Sequence, residues 1–351
     1  MPISICRKEH AGVTWSPRLH NCSSHELQQR EVVMTKAQDG TVVVLGSTNW
    51  DICMHLPRLP ALGETVGGGR LRAAIGGKGA NQAVACHLAE APTQFISCIG
   101  DDTSAATIRQ EFRTLKLDDA HVADIANCST GTACIFVNAE GENCIGITAG
   151  ANAHLSIAMV EEARQLLAQA KVLLLQLETP LASVLRAAEL AHTGGARVVL
   201  NPAPAPAQPL PDQLYKWIDV LTPNRGELAE LAEVATYTDA GLHAACERLL
   251  TQGVNNIVVT LGGDGVLLAT TTGGKLHTER YAAYHVQAVD TTAAGDVFNG
   301  YLAAQLRDPG TSVTAALQQA MAAAALSVTR EGALPSIPTS LAVTEFRTQH
   351  D

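Results

Sequence analysis

The sequence predicts an α/β fold: a mostly parallel central sheet with helices on both faces, plus a small β-sheet lid. Three observations point there. From Thr41 onward, short apolar runs alternate with helical patterns, as strands joined by crossover helices do. Two stretches, 51–75 and 131–150, interrupt that alternation with strand-like pieces. The composition is 46% hydrophobic with only 17% charged and 4% aromatic residues, so the interior is built from Ala, Val and Leu.

The elements follow in chain order. Residues 1–39 are polar, without sustained periodicity or the apolar core of a signal peptide, and read as a disordered extension. Met34 offers an alternative start, and Arg18-Leu19 with His25 is a near miss for a peroxisome-type address, spoiled by Glu26. A single domain is expected over 40–345. Its buried strands are predicted at Val42–Leu45, Gln94–Ile99, Val172–Leu177, Arg197–Leu200, Ile218–Thr222 and Ile257–Thr260. Between them fall helices at Ala80–Ala89, Ser104–Leu117, Ser156–Ala170, Leu181–Ala191, Gly226–Val234 and Leu242–Gln252. An Ala-rich helical pair, Val297–Leu306 and Val313–Thr329, follows. The segment 51–75 carries Pro57, Pro60 and Gly67–Gly69, and 131–150 reads as a hairpin across an Asn-Ala-Glu-Gly-Glu-Asn turn. Both would form the lid at one edge of the sheet.

Charge and cysteine usage exclude several classes. A net charge of −10 gives no electrostatic support to a nucleic-acid or anionic-membrane partner. The longest apolar runs are strand-length, far short of a membrane span. Nine scattered cysteines with no CxxC pair indicate neither a zinc site nor a disulfide framework, and fit reduced cytosolic thiols.

The run Asp290–Gly300, DTTAAGDVFNG, concentrates the chemistry. It opens a helix whose unpaired N–H groups and dipole suit a phosphate or developing anion, and Ala293, Ala294 and Gly295 leave the approach clear. Asp296 repels phosphate, so its plausible task is to take a proton from an attacking hydroxyl; the plainer reading is an N-capping Asp. Residues 74–82, AIGGKGANQ, bring Gly77, Lys78, Gly79, Ala80 and Asn81 to a helix start. This is no Walker loop, because Gly79 stands where Ser or Thr must hold magnesium. Asn49 and Asp51 follow the first strand at the mouth of the sheet, and Glu178 ends another strand. Glu178 suits sugar hydroxyls or, alternatively, a helix N-terminus. Asn224 and Glu227 suit either a magnesium hydration shell or a capping box. Thr260, Leu261, Gly262, Gly263, Asp264 and Gly265 make a glycine-rich turn fit for nucleotide phosphates or the adenine-side wall.

Taken in order, GGKGANQ, the Asn224–Glu227 pair and the D-T-x-x-A-G-D run resemble the ribokinase-like (PfkB-type) carbohydrate kinases over nearly all of Val42 to Pro338. The resemblance implies ATP-dependent phosphorylation of D-ribose at O5. It assigns ribose to Asn49, Trp50, Asp51, Gly77, Lys78, Gly79, Ala80, Asn81 and Glu178, with Asp296 as base and Ala293, Ala294 and Gly295 as anion hole. It assigns ATP to Asn224, Thr260–Gly265, Gly295, Asp296 and Met321, and magnesium indirectly to Glu227. A potassium loop would involve Asp290, Thr292, Ser327, Arg330, Gly332 and Ser336, largely through carbonyls. It also implies a cytoplasmic homodimer clasped through the lid. Three departures stand out: Ala293 replaces a common glycine, Met321 replaces a polar neighbour of adenine, and Trp50 is bulkier than usual. Rival readings are another sugar or nucleoside kinase of this type, or a catalytically silent sugar- or nucleotide-binding protein.

Overall fold

The computed structural model describes residues 40–350. The extension 1–39, the Met34 start and the address-like segment lie outside the described residues. The strands are β1 (Val42–Leu45), β2 (Asn49–His55), β3 (Arg70–Gly76), β4 (Thr93–Ile99), β5 (Val122–Asp124), β6 (Gly131–Val137) and β7 (Asn143–Thr148). They continue as β8 (Val172–Leu175), β9 (Arg197–Leu200), β10 (Val220–Leu221), β11 (Asn256–Thr260), β12 (Val266–Thr272) and β13 (Lys275–Tyr281). Among the described residues the large sheet has the order β13-β12-β11-β10-β9-β8-β1-β4-β5. It is parallel from β11 to β5 and antiparallel at the β11–β12–β13 end. The small sheet has the order β3-β2-β6-β7.

Strand β1 explains the layering. Val42 and Val44 join one core cluster, with residues of the Lys78–Leu88, Ala294–Leu306 and Val313–Ser327 helices. Val43 and Leu45 join the other, with residues of the Leu181–Thr193 and Asp239–Gln252 helices. A strand covered on both faces must be apolar at every position, which is why VVVL reads as an unbroken run. Each such side chain contributes about 1.5–3 kcal/mol on burial.

The predicted fold class is borne out. The expected Ser156–Ala170 helix is instead two, Ile157–Glu162 and Arg164–Gln169, broken at Ala163 with neither Gly nor Pro to mark the break. The expected strand Ile218–Thr222 shrinks to Val220–Leu221. The β12–β13 hairpin went unread because VLLATTT runs from buried to exposed along its length and lacks a clean alternation. The Ser340–His350 helix was also unread.

No helix among the described residues is long and apolar enough to cross a membrane. The chain leaves β1 for β4 on one side and later returns to β8 on the other, so strand order reverses at β1. The carboxyl ends of parallel strands beside such a reversal leave a crevice, and the candidate residues gather there.

Candidate functional site

The residues that the sequence assigns to a sugar are built around the turn after β1. Gly77, at φ +87°, starts the Lys78–Leu88 helix, and a Cβ on Gly79 would lie 2.5 Å from the Ser47 nitrogen. Only glycine lets this helix seat against the turn. The Ala80 N–H donates to the Ser47 carbonyl (2.9 Å) and the Gly79 N–H to Ser47 Oγ (3.3 Å). Glu178 Oε2 accepts from Ser47 Oγ (2.5 Å) and from the Lys78 N–H (3.0 Å). Glu178 thus makes no capping bond to the helix that follows it, Leu181–Thr193, and instead caps the start of the Lys78–Leu88 helix. Its other oxygen takes no part in these bonds.

Asn49 and Asp51 share a face of β2, and Trp50 between them takes the opposite face and packs against the core. Trp50 is thus not brought together with the other two. Asn49 Oδ1 accepts from Asn152 Nδ2 (2.8 Å), and Asn152 Oδ1 accepts from the Thr48 N–H (2.9 Å). Asp51 Oδ1 and Asn81 Oδ1 are buried with no hydrogen-bond partner. Burial, then the charges of Glu178 and Asp296, push the Asp51 carboxyl up to about 6.

Asp296 lies in the first turn of the Ala294–Leu306 helix, 6% exposed. Its Oδ2 accepts from Asn81 Nδ2 (2.9 Å) and its Oδ1 from Gln82 Nε2 (2.9 Å). It makes no capping bond to its own helix, and the N-cap position is Ala293. Burial raises its carboxyl above the usual range, against the pull of Lys78 and the two amides. Lys78 loses hydration on burial, but Asp296, Glu178 and Glu227 more than offset that and raise its ammonium. Ala293 adopts φ +61°, the left-handed region that glycine enters more cheaply. In this turn Ala294 donates to the Thr291 carbonyl (3.3 Å), whereas the Ala293, Gly295 and Asp296 N–H groups make no such bond back into the chain.

A cavity of about 620 Å³ runs from Asp296 and Lys78 past Asn224, Glu227 and Thr260 to Met321. Gly262, Gly263 and Gly265 line it; Leu261 packs toward the core and Asp264 is exposed, so neither lines the cavity. Its far wall is apolar: Val286, Ala288, Met321, Ala324, Ala325 and Val328. Asn224 and Glu227 form the capping box in full, with both reciprocal bonds at 2.8 Å. Burial raises the Glu227 carboxyl.

Asp290 ties two loops together. Oδ1 accepts from the N–H (2.9 Å) and hydroxyl (2.6 Å) of Thr292, and Oδ2 from the Gly332 N–H (2.8 Å). Ser327 and Ser336 are buried nearby in sequence, with hydroxyls donating to the Ala324 and Ala333 carbonyls, whereas Arg330 is exposed.

Sequence reasoning missed Ser47, Gln82, Asn152, Gln176 and Asn201. A buried amide bound to a distant partner leaves no periodic mark. Only their position just after strand ends, or beside a glycine pair, was available as a signal.

Residues 26–340 match the family model described as pfkB family carbohydrate kinase. The chain is 40% identical to a ribokinase of Haemophilus influenzae, over 87% of this chain and 98% of that protein. It is 35% identical to a deoxyribokinase of Salmonella typhi, over 85% of this chain and 95% of the other. Among solved structures, Arabidopsis thaliana ribokinase complexed with ribose and ATP superposes with a TM-score of 0.80 at 31% identity, covering 87% of this chain and 97% of that one.

Proposed function

This chain belongs to the pfkB family of carbohydrate kinases, and we propose that it transfers the terminal phosphoryl group of ATP to O5 of D-ribose, giving D-ribose 5-phosphate and ADP. One observation carries the reading to a sugar: two buried acceptors, Asp51 Oδ1 and Asn81 Oδ1, have no partner in the protein and sit in the same charged cluster as Asp296. A buried acceptor without a donor costs about 1–3 kcal/mol, and a ligand with several hydroxyls supplies the donors.

Asp296 takes the O5 proton as the O5–phosphorus bond forms and the bond to the ADP oxygen breaks, the electron pair leaving with ADP. The N–H groups of Ala293, Gly295 and Asp296 meet the charge on the transferring group, and Lys78 adds a cation to the same cavity. Thr260, the glycines after it and the apolar wall ending at Met321 receive the nucleotide.

Two ions belong to this reading. Glu227, a carboxylate lining the cavity that would receive the phosphates, fits a hard divalent cation and would hold magnesium through its water shell. Magnesium there supplies neutralisation of phosphate charge. Potassium would be held by oxygens of the two loops that Asp290 joins at Thr292 and Gly332, with carbonyls of Ser327, Arg330 and Ser336 contributing, and would brace the loop before the anion hole. A cytosolic site of action accords with the unpaired state of every described cysteine.

An ADP-release assay over D-ribose, 2-deoxyribose, fructose and nucleosides, with and without potassium, tests the reading. D-ribose should give the highest kcat/KM, potassium should raise the rate, and Asp296→Asn should lose about a hundredfold or more in turnover with binding kept. Equal turnover in Asp296→Asn would reduce Asp296 to a structural group, and a better substrate than ribose would reassign the sugar.

A further inference from the structure

Gln82 is fully buried in the Lys78–Leu88 helix and reaches no ligand surface, yet all its polar capacity is committed. Its Oε1 accepts from Gln176 Nε2 (2.6 Å). Its Nε2 donates to Asp296 Oδ1 (2.9 Å) and to Asn201 Oδ1 (3.1 Å). Three partners thus fix the amide's orientation; reversed, it would aim an oxygen at a carboxylate. Gly46 makes room on the far side, where a Cβ would lie 1.9 Å from Gln176 Oε1.

The chain of bonds continues. Asn201 Nδ2 donates to the Thr222 carbonyl (3.1 Å), the Thr222 hydroxyl bonds Asn299 Oδ1 (2.6 Å), and Asn299 Nδ2 donates to the Gly295 carbonyl (2.8 Å). Gln176, Asn201 and Thr222 each follow the carboxyl end of a strand, β8, β9 and β10, which are neighbours in the sheet. The network therefore begins at the carboxyl ends of three adjacent strands of the large sheet and ends on both the carboxylate of Asp296 and the turn just before it. Linked buried bonds of this kind hold their members more tightly than isolated pairs do, and within the network only Gln176 Oε1 lacks a partner.

We propose that Gln82 is a positioning residue for phosphoryl transfer: it fixes the Asp296 carboxylate and, through Asn201, Thr222 and Asn299, the helix turn that carries it. This rests on Asp296 being the base. Asn81 differs, because its Oδ1 stays free for a ligand while its amide N–H holds Asp296 Oδ2. The other charged groups that act on Asp296 are Lys78 on the same helix as Gln82, Asp51 on β2, Glu178 after β8 and Glu227 at the start of the Arg225–Ala232 helix. Against that background the Gln82 N–H favours the ionised carboxylate.

The test compares Gln82→Met, Gln82→Glu and Gln176→Met with Asp296→Asn, measuring kcat and both KM values across pH together with melting temperature. Gln82→Met should lower kcat about tenfold to a hundredfold, leave both KM values within about twofold, and move the acid limb of kcat to higher pH. Gln82→Glu, nearly isosteric, should fold and move that limb further, and it carries the test should Gln82→Met fail to fold. Gln176→Met cuts the network one bond away from the base, so it should lower the melting temperature yet leave the acid limb in place. Equal effects of Gln82→Met and Gln176→Met, or an unmoved acid limb in both Gln82 variants, would overturn the proposal. An active Asp296→Asn would sink the reading of the base itself; an inactive one beside wild-type Gln82 variants would sink this inference alone.

Discussion

At Asp51, burial and charge work against each other. Its carboxyl titrates at about 6 in the folded chain against 3.8 for the ordinary group, first because it is buried and then because Glu178 and Asp296 are negative. With the folded value above the unfolded one, the ionised form weakens the ligand-free fold above about pH 6, and that cost is relieved as pH falls toward 3.8. A sugar hydroxyl donating to Oδ1 reverses the balance, since it favours the ionised form. The apparent KM for ribose should therefore rise as pH falls through about 6, separately from any change in kcat. Asp51→Asn should have a raised KM at neutral pH and a flat dependence below it. A wild-type KM that is constant across this range would remove Asp51 from the sugar site.

Two helices bring the site together, and they approach closely at Gly300. Gly300 on the Ala294–Leu306 helix faces the Lys78–Leu88 helix, where an added Cβ would lie 2.4 Å from Ala85 Cβ and 2.8 Å from the Gln82 carbonyl oxygen. The Cys86 thiol donates to the Gly300 carbonyl (3.2 Å) at the same contact. The helices meet closely here, and about one turn away Asp296 meets Asn81 and Gln82. Gly300→Ala should force the helices apart, costing about 1–3 kcal/mol. It should also lower kcat by drawing the amides away from Asp296, although the substitution touches no substrate. A melting temperature equal to wild type would mean that the neighbours give way and the contact is not tight.

On the scale of the whole molecule, the small sheet ends in an unusually open strand. Every residue of β7 is exposed, it forms one edge of its sheet, and Ile145 and Ile147 are 55% and 65% exposed. Leu71 on β3 is 62% exposed. Such an edge normally has cover. We propose a second copy of this chain as the cover, which agrees with the homodimer expected from the sequence. Sedimentation should give the mass of two chains at micromolar concentration, and Ile145→Lys with Ile147→Lys should give one. A wild-type protein that sediments as a single chain sinks this assignment.

The layered α/β fold was legible because its cause is local. A strand buried on both faces must be apolar throughout, and a helix beside it with one solvent face must repeat its apolar residues every three to four positions, so VVVL and the Thr103–Leu115 helix, which buries Ala105, Ile108 and Phe112, were legible in isolation. The run from Asp290 to Gly300 was legible for the same reason, since small residues followed by an acid specify an open helix start within a few positions. What the sequence left undecided was the choice of partner. Glu178 suited both a sugar and a helix terminus, and only the fold brings it to the Lys78 N–H. Asn224 and Glu227 suited both a metal shell and a capping box, and the box is formed. Gln82 looked like any polar residue beside a glycine pair, although it bonds a carboxylate 214 residues away. A buried polar group is satisfied by whatever the sheet carries next to it. That neighbour is set by the order in which the strands lie, which no short stretch of sequence contains.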